Sequence, residues 1–599
     1  MNTSAMNTSA SIRARLLLPL VLAVLPVFAA DYWVAVGGTG DYRSAATPGP
    51  SPVDGAKLAT AAGDVIHVGP GTYTVETGVS VANGALLIGG SDDPEATRIV
   101  RHVTGNNDRV VMLGVNAQLR NVTVAGGYTD YQAAGVLGFN GSVHKNFSVS
   151  NCVVENCSAL YKGGASMGGV WRNCVIRNCT VRNPRGSDVP QEGSGGGIWG
   201  GTLYDCVLTN NTANYAGGAL AGSTGDPCVA YNCTLAGNTA PFGSGAGTDS
   251  GPNACRLYNC NVVSNDGHNA TGQAWGGKGG GVYNCFVTNS LIAWNKTRYD
   301  NSKNGGTLGG GAGVYRGRVY DSTIMGNYTT AYGSAYTVDG GGAEAAYLEN
   351  CRILDNVSVR YGGGTLDCTN VNCVIAGNRG TGGGGLFRGL AVSCVISNNT
   401  ASSIQGGAAY NAETRNCLVV GNHTYTHGTL CRGYHQGDIV VGNIAERPGA
   451  YAMGICAADG NRDCVAVNCT VYGNVTGAAG GTAAAGVSNC AITNTLVAGH
   501  ATDVKNLVSA SHSLARTGAA PAGAEAMLGD VDPRFEGTPS QTAEPFALRL
   551  SSPCRDRGVL FDWMAGATDI LGNPRVKWDA PDIGACECVA QSGSQVLVR

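Results

Sequence analysis

Charged side chains concentrate in three neighbouring long segments of this 599-residue chain. Lys278, Arg298, Asp300 and Asp339 are the charged residues there that could act on one bound molecule. Two carboxyl groups supply the acid and the base for hydrolysis of a glycosidic bond, whereas a lysine or arginine base beside Arg or Ca²⁺ suits elimination at a uronate. These four residues are the catalytic candidates. The adjacent acids Asp92–Asp93 lie elsewhere, and we assign them to a turn or a cap.

Aromatic side chains lie among the polar residues of the same three segments, which follow Asn265, Asn295 and Asn327. They are Trp275, Tyr299, Tyr328, Tyr332 and Tyr336, with Lys296 beside them. Aromatic faces between hydrogen-bonding groups suit stacking on sugar rings, and binding usually resides in loops carried on a rigid scaffold. The alternative is that these segments are solvated insertions without a ligand.

A second aromatic series follows short glycine runs such as "GGGIW" and "GGGVY". An aliphatic residue precedes nearly every ring, so strand alternation predicts that the rings face outward. Arginines follow in similar "YRG", "FRG" and "CRG" settings. The series is either a glycan-binding strip or an external ladder of stacked rings with arginines packed alongside. Its members are Trp171, Trp199, Tyr283, Tyr315, Phe387 and Tyr410, with Arg316, Arg388 and Arg432.

One short strand motif, which recurs many times along the chain, must position all these residues. Its pattern is Asn-[Cys/Ser]-x-[Val/Ile/Leu]-x-x-Asn, as in "NCNVVSN" and "NCVIAGN", recurring every 21 to 32 residues. Its second and fourth positions alternate with polar ones, which is strand periodicity. Asn tolerates left-handed backbone angles, so we expect corners at the asparagines. A glycine run before each copy starts a further strand.

Three short strands and three corners in 21 to 23 residues predict one coil of a single-stranded right-handed parallel β-helix. About fifteen coils stacked roughly 4.8 Å apart would form a rod roughly 70 Å long. The long segments all fall at the same corner, so the loops must line one edge of the rod. We call this the long-loop edge. An all-β solenoid is therefore the expected fold class.

The 23 cysteines are expected to be mostly buried free thiols. Equivalent positions on stacked coils place parallel side chains about 4.8 Å apart, whereas a disulfide requires Cβ atoms about 3.8 Å apart. Serine and threonine also replace cysteine in this register, as small residues would. One bridge among Cys554, Cys586 and Cys588 is the exception we consider. We expect no metal site.

The chain divides into four expected segments. Residues 1–29 have Arg13 and Arg15, then "LLLPLVLAVLPVF" and two alanines, as in a secretory signal peptide. The alternative, a membrane anchor, is disfavoured by the short run and its prolines. An N-terminal cap with the first coils (30–115), the repeats (116–510) and a C-terminal segment (511–599) follow.

Both ends of the chain resemble known proteins. "DYWVAVGGTGD" followed by "AGDVIHVGPGTYT" resembles the start of right-handed β-helices of the pectate-lyase-like superfamily. The "GGAL" and "IAWN" rhythm is similar to repeats of bacterial polymorphic outer-membrane proteins. The tail, with "DIGACEC", resembles the ending of exported bacterial β-helix proteins that read "DIGAYE". The resemblance implies this fold and export, and it specifies no activity.

These features favour a secreted or surface protein of adhesin type that binds a polysaccharide or cell-surface glycan, acting as a monomer without a cofactor. The rival hypotheses are a polysaccharide lyase or glycoside hydrolase in the long-loop groove, for which Ca²⁺ would be relevant, and a purely structural rod. A net charge of -3 disfavours nucleic-acid binding. No further apolar run of spanning length follows the first thirty residues.

Overall fold

The protein is a right-handed parallel β-helix, seen in a computed structural model. The structure describes residues 29–103, 105–138, 146–182, 193–248, 254–268, 277–300, 309–332, 338–403, 405–446, 452–457, 463–477 and 485–588. The proposed signal peptide lies almost wholly outside this part. No helix within these ranges is long and apolar enough to cross a membrane.

Each coil has up to four short strands, which we call the first to fourth faces in chain order. The first and second faces together form one 34-stranded sheet, and the third face is an 18-stranded sheet. The fourth face, which the sequence did not predict, is a stack of mostly two-residue strands. Two longer strands, Ala409–Arg415 and Leu430–Gln436, span the first and second faces without interruption.

The first-face strands begin after the glycine runs. They are Val79–Val81, Val111–Leu113, Val136–Gly138, Ser166–Met167, Ile198–Trp199, Leu220–Gly222, Ala246–Thr248, Val282–Tyr283, Val314–Tyr315, Ala343–Glu344, Thr365–Leu366, Leu386–Phe387, Ala452–Cys456, Ala485–Ser488 and Thr502–Lys505. The second-face strands are Asp31–Val34, Val65–Val68, Leu86–Gly89, Gln118–Arg120, Ser148–Ser150, Val170–Arg172, Gly201–Tyr204, Cys228–Tyr231, Cys255–Tyr258, Phe286–Thr288, Arg318–Tyr320, Tyr347–Glu349, Thr369–Val371, Leu390–Val392, Cys464–Val467, Ala491–Thr493 and Ser509–Ser511.

The strands of the third face form one uninterrupted sheet along the coils. Its strands are Gly71–Val75, Thr97–Arg101, Thr123–Ala125, Val153–Glu155, Val175–Arg177, Val207–Thr209, Thr234–Ala236, Asn261–Val263, Leu291–Ala293, Thr323–Met325, Arg352–Leu354, Val374–Ala376, Val395–Ser397, Leu418–Val420, Ile439–Val441, Thr470–Tyr472, Leu496–Ala498 and Leu514–Ala515. The fourth-face strands are Asn107–Asp108, Tyr128–Thr129, Ser158–Ala159, Thr180–Val181, Asp266–Gly267, Lys296–Asp300, Tyr328–Tyr332, Arg379–Gly380, Thr400–Ala401, His423–Thr424, Ile444–Ala445 and Val475–Thr476. Gly309–Gly310 and Val338–Asp339 pair separately.

Four short helices complete the described secondary structure. They are Pro52–Leu58 and the 3₁₀ turns Pro94–Ala96, Glu544–Phe546 and Asp562–Met564. Ser51 caps the first helix, which covers the N-terminal end of the core with Ala56. Asp93 caps the turn at Pro94 by accepting the Glu95 N–H at 2.9 Å, so its expected capping role is confirmed.

The corners depend on left-handed residues, as the asparagines predicted. Asn173, Asn259 and Asn372 have φ of 52°, 56° and 52°, and the buried cysteine that follows each turns into the core. The asparagine that ends the motif behaves differently from the prediction. Asn265 is fully buried, and the left-handed residue is Ser264 before it. The amide is therefore used inside the coil and not for the turn.

These terminal asparagines form a ladder between the third and fourth faces. In each coil the amide nitrogen donates to a third-face carbonyl of the preceding coil and to the amide oxygen of the next asparagine. For Asn327 the two distances are 2.9 and 3.0 Å, to Ile292 O and Asn356 Oδ1. Such a row satisfies its buried polar groups internally. It comprises Asn211, Asn238, Asn265, Asn295, Asn327, Asn356, Asn378, Asn399, Asn422, Asn443 and Asn474.

All 23 cysteines are buried thiols, as expected for a stacked series, and this includes Cys554, Cys586 and Cys588. They occupy more than one ladder. Ten, including Cys206 and Cys260, precede the third face. A second series, including Cys255 and Cys285, lies at the start of the second face. Burial raises the pKa of thiols such as Cys152 to about 12, so they act as small apolar side chains.

One coil replaces the ladder cysteine by a buried acid. Asp438 accepts the Cys417 N–H at 2.7 Å and the Thr414 hydroxyl, which also lies 2.8 Å from His435 Nδ1. Burial raises the pKa of Asp438 to about 7 and lowers that of His435 to about 4. Asp438 therefore holds its proton below about pH 7 and His435 is uncharged above about pH 4, and the cluster is a polar insert in the core.

The C-terminal segment packs on the outer side of the third face in the last coils. Phe535, Phe546 and Ile583 contact outward residues such as Val441 and Leu496. Buried Arg575 holds the "DIGACE" stretch in place. It lies 3.3 Å from Glu587 and donates to the carbonyl of Ala585 at 3.0 Å. The tail motif is thus a docking element for this segment.

Candidate functional site

The long-loop edge is built on strands that continue from the fourth face. Lys296–Asp300 pairs in parallel register with Tyr328–Tyr332, so Lys296 lies beside Tyr328 and Asp300 beside Tyr332 along the backbone. The loops therefore leave the rod as a small paired sheet, which we call the departing side. They return at Lys278, Gly310 and Asp339, which align across three successive coils. We call these aligned positions the returning side.

On the departing side, Trp294 is the residue that the sequence analysis missed. It fills the left-handed corner position before Asn295 with φ of 55° and is 52% exposed. Other coils place Gly326 or Asn210 there, since a left-handed backbone costs a bulky residue about 1–2 kcal/mol. Tyr328, 39% exposed, stands on the next coil. Neither ring joins a ring stack among the described residues. Two aromatic faces are therefore presented to solvent.

Polar groups flank these rings. Lys296 lies 2.9 Å from Asp266, and His268 lies 3.3 Å from the same carboxyl oxygen. Burial favours the neutral form of Asp266, but His268 and Lys296 outweigh it and lower the pKa. Lys296 is thus held in an ion pair. Arg298 is exposed. Trp275 and Tyr336, and the side chains of Tyr299, Asp300 and Tyr332, lie outside the described residues.

On the returning side, Lys278 and Tyr315 form a pair between coils. The ammonium donates to the Tyr315 hydroxyl at 3.1 Å and lies 4.8 Å from the ring centroid. Tyr315 in turn stacks on Tyr283, with ring centroids 5.5 Å apart and planes within 2°. The geometry fixes the lysine by both a hydrogen bond and a cation–π contact.

Glu344 occupies the position that follows Tyr315 in this outward series, and no motif pointed to it. One carboxyl oxygen, Oε2, is buried without a hydrogen-bond partner in the described part of the chain. Burial raises the pKa of Glu344 to about 8, with Lys278 opposing the shift and Asp339 adding to it. A side chain at Gly310 would collide with this oxygen. The only sequence signal is "GGGAE", in which an acid replaces the usual ring.

Asp339 is the second carboxyl of the returning side. One of its oxygens accepts the Tyr361 N–H at 3.1 Å, and burial raises its pKa. Lys278 and Asp339 thus lie on the same returning side, two coils apart, with Tyr315 and Glu344 beside them. Two carboxyl groups in unequal surroundings beside an ammonium could exchange protons with a bound molecule.

The aromatic series divides into two stacks and two residues outside them, Trp199 and Trp171. Tyr361, Phe387 and Tyr410 stack with centroids 4.2 and 5.2 Å apart. Arg316, Arg388 and Arg432 lie 5.4–5.6 Å from the centroids of Tyr315, Phe387 and Tyr410. Stacking covers most ring faces, as the hypothesis of an external ladder of stacked rings expects. Trp199 is 2% exposed beneath Lys162.

Trp171 contradicts the outward prediction, because it is fully buried in the core. It pairs with Leu203 on the second face, since the glycine pair before it is the corner after the first face. A further outward row went unpredicted although "LY" and "VY" precede the corner residue in several copies. It consists of Tyr204, Tyr231, Tyr258, Phe286, Tyr320 and Tyr347, with successive centroids 4.9–6.0 Å apart.

No group of three or more His, Cys, Asp or Glu side chains within the described ranges could hold a metal ion. The edge presents exposed rings on one side of the loops and paired hydrogen-bonding groups on the other.

Comparison with known proteins identifies no close relative. No family model and no curated protein matches the chain. Among solved structures, it is similar to bacteriophage CBA120 tailspike protein 3 (13% identity, 79% of this chain and 59% of that one, TM-score 0.24). It is also similar to a GH87 α-1,3-glucanase catalytic unit from Streptomyces thermodiastaticus, with 13% identity over 76% of this chain and 69% of that one and a TM-score of 0.26. A further similar structure is the Azotobacter vinelandii mannuronan C-5 epimerase AlgE4 A-module, with 10% identity over 76% of this chain and 93% of that one and a TM-score of 0.21. These values are too low to indicate a ligand or an activity.

Proposed function

We propose that the protein binds an extracellular polysaccharide along the long-loop edge. The observation that carries the proposal is Trp294, an exposed ring held in a strained left-handed corner with Tyr328 on the next coil. Strained residues concentrate at functional sites. Coils stacked roughly 4.8 Å apart repeat their groups along the rod, as a linear sugar polymer does, and rings beside charged pairs can stack on sugar faces while bonding hydroxyls.

Binding can be measured by affinity electrophoresis of the purified protein in gels containing polygalacturonate, alginate, laminarin, xylan, dextran or mannan. We expect at least one polymer to retard the protein. Trp294→Ala should weaken retardation about tenfold or more, because stacking on one ring contributes on the order of 1–2 kcal/mol. Trp578→Ala removes an exposed tryptophan of the C-terminal segment and is the matched control. Equal retardation of both variants would contradict the proposal.

Catalysis is the second candidate function, favoured by the two carboxyl groups of the returning side. Glu344 keeps its proton up to about pH 8 and could donate it to a leaving oxygen, while Asp339 would act as the ionised partner. Reducing-end release from the same polymers would then fall as pH rises through about 8. Glu344→Gln should abolish release while leaving Trp294-dependent binding in place.

Lys278→Ala and Lys162→Ala form a matched pair for this second candidate. Each lysine lies over one aromatic ring, at 4.8 Å from Tyr315 and 4.5 Å from Trp199, but Lys162 is far from the long loops. Loss of product with the first variant only would support chemistry on the returning side. Absence of product from every polymer would leave a binding protein.

A further inference from the structure

A cleft separates the second face from the C-terminal segment, away from the long-loop edge. It measures about 600 Å³, within the usual range of about 300–1,000 Å³ for small-molecule sites. Glu413, Arg415, Tyr434 and Gln436 form one wall on two adjacent coils, and Trp563 and Ala567 form the other. Two remote parts of the chain thus create one polar and aromatic recess.

The two coils that immediately flank the cleft have aliphatic residues at the aligned outward positions. Along one outward series, Glu413 and Tyr434 stand between Leu390 and Val465. Along the other, Arg415 and Gln436 stand between Val392 and Val467. Four hydrogen-bonding side chains thus stand together at the cleft, between two coils that are aliphatic at the same positions.

The polar groups are arranged in planar pairs. Arg415 Nε donates to Glu413 Oε1 at 2.7 Å, which leaves the second carboxyl oxygen and further guanidinium N–H groups available within the described structure. The Tyr434 hydroxyl lies 3.4 Å from Gln436 Oε1. A carboxylate, a guanidinium and an amide can each bond two neighbouring hydroxyls. Because the charges of the ion pair balance, the site suits a neutral ligand.

The opposite wall is held in place. Met564, next to Trp563, is 2% exposed, and Asn416, next to Arg415, donates to the carbonyl of Thr568 at 3.1 Å. The indole therefore faces the coil wall from a fixed position. An aromatic body with polar neighbours is the arrangement that recognises a ring with one apolar face and many hydroxyls.

We infer that this cleft is a second binding site and that it takes a neutral pyranoside, with Tyr434 and Trp563 contacting the sugar faces and Glu413, Arg415 and Gln436 bonding its hydroxyls. The site is independent of the long-loop edge and stands whether or not the edge binds polymer.

Calorimetric titration with cellobiose, maltose, lactose, mannobiose and xylobiose tests the inference. We expect at least one disaccharide to bind the full protein with a dissociation constant between about 10 μM and 1 mM, and Tyr434→Ala and Arg415→Ala each to weaken binding at least tenfold. Lys162→Ala should leave it unchanged, because Lys162 lies over Trp199 and belongs neither to this cleft nor to the long-loop edge.

Tyr347→Ala is the matched control, because Tyr347 belongs to the same outward series on a coil outside the cleft. Thermal melting of each variant shows whether the fold is kept, and Gln436→Ala provides a milder substitution if Tyr434→Ala unfolds. Absence of binding to every disaccharide, equal loss with Tyr347→Ala, or preference for galacturonate oligomers over neutral ones would overturn the inference.

Discussion

Trp294 adopts an unfavourable left-handed backbone conformation and exposes its ring to solvent. Its corner accepts glycine elsewhere in the ladder, and the ring lies against Gly326 of the next coil while remaining 52% exposed. A residue kept at a cost to stability is expected to serve recognition.

Trp294→Gly should therefore raise the free energy of unfolding by about 1 kcal/mol while weakening polysaccharide binding. Urea unfolding and affinity electrophoresis on the same preparations measure the two effects. Ala293→Gly is the control, since Ala293 lies in the preceding strand and gains nothing from glycine. A variant that loses stability and keeps binding would show that the ring serves packing.

Asp438 predicts a pH dependence of stability. Folded Asp438 keeps its proton up to about pH 7, whereas in the unfolded chain it ionises near pH 4. The folded state binds the extra proton between these values, so the free energy of unfolding falls as pH rises through this window, by about 4 kcal/mol in total.

Asp438→Asn should remove this part of the dependence, because its amide can still accept the Cys417 N–H and donate to the Thr414 hydroxyl. Urea unfolding at pH 4, 5.5, 7 and 8 measures it. Glu344 and Glu587 also have raised pKa values and contribute a decline of the same sign, so the test is the difference between the two curves. Parallel curves would contradict the assignment.

Single residues were the hardest part of the site to predict. Lys278 and Asp339 could be chosen because all long loops leave one corner of a regular repeat. Glu344 could not, because it is an acid in a position that other coils give to rings, and its significance comes from burial. Trp171 was placed wrongly because two different glycine pairs precede similar aromatic residues.

At the scale of elements, strands and corners followed from local chemistry. Alternation gives the strands, and asparagine before cysteine gives a left-handed turn. The ladder asparagines were misread because asparagine has two uses, a tolerant backbone and a side-chain amide that imitates a peptide group. Only the stacking of coils shows which use applies, as for Asn265 and the left-handed Ser264 before it.

Asn327→Ala should lower the free energy of unfolding by about 2–5 kcal/mol. It removes the two hydrogen bonds that the Asn327 amide donates, and it leaves the buried amide of Asn295 without its acceptor. Chemical denaturation monitored by circular dichroism measures the loss. Asn350→Gly is the control: Asn350 has φ of 54°, which glycine adopts freely, so its effect should stay within about 0.5 kcal/mol. Similar losses at the two sites would show that the amide ladder contributes little.

At the scale of the molecule, the C-terminal segment depends on buried charge. Arg575→Ala removes the guanidinium that donates to the buried carbonyls of Ala585 and Gly584, and each buried acceptor left without a donor costs about 1–3 kcal/mol. We expect the segment to detach before the coils unfold, giving early proteolytic cuts between residues 516 and 588. The control is Arg534→Ala, which replaces an exposed arginine; this variant should be cleaved at the same rate as the unaltered protein. Early cuts within the coils would instead indicate that the whole rod is weakened.

The asparagine ladder also gives the rod a direction. Each ladder amide donates one N–H to a carbonyl of the preceding coil and the other to the ladder residue of the next coil, so the bonds along the ladder all run in one direction. The last donors, on Asn474, meet Nε2 of His500, whose other nitrogen lies 3.2 Å from Asp503. That carboxylate also accepts the N–H groups of Arg516 and Thr517. The ladder therefore ends on a histidine and a carboxyl group instead of another asparagine, so its two ends differ chemically and a coil added beyond His500 would meet no continuing row.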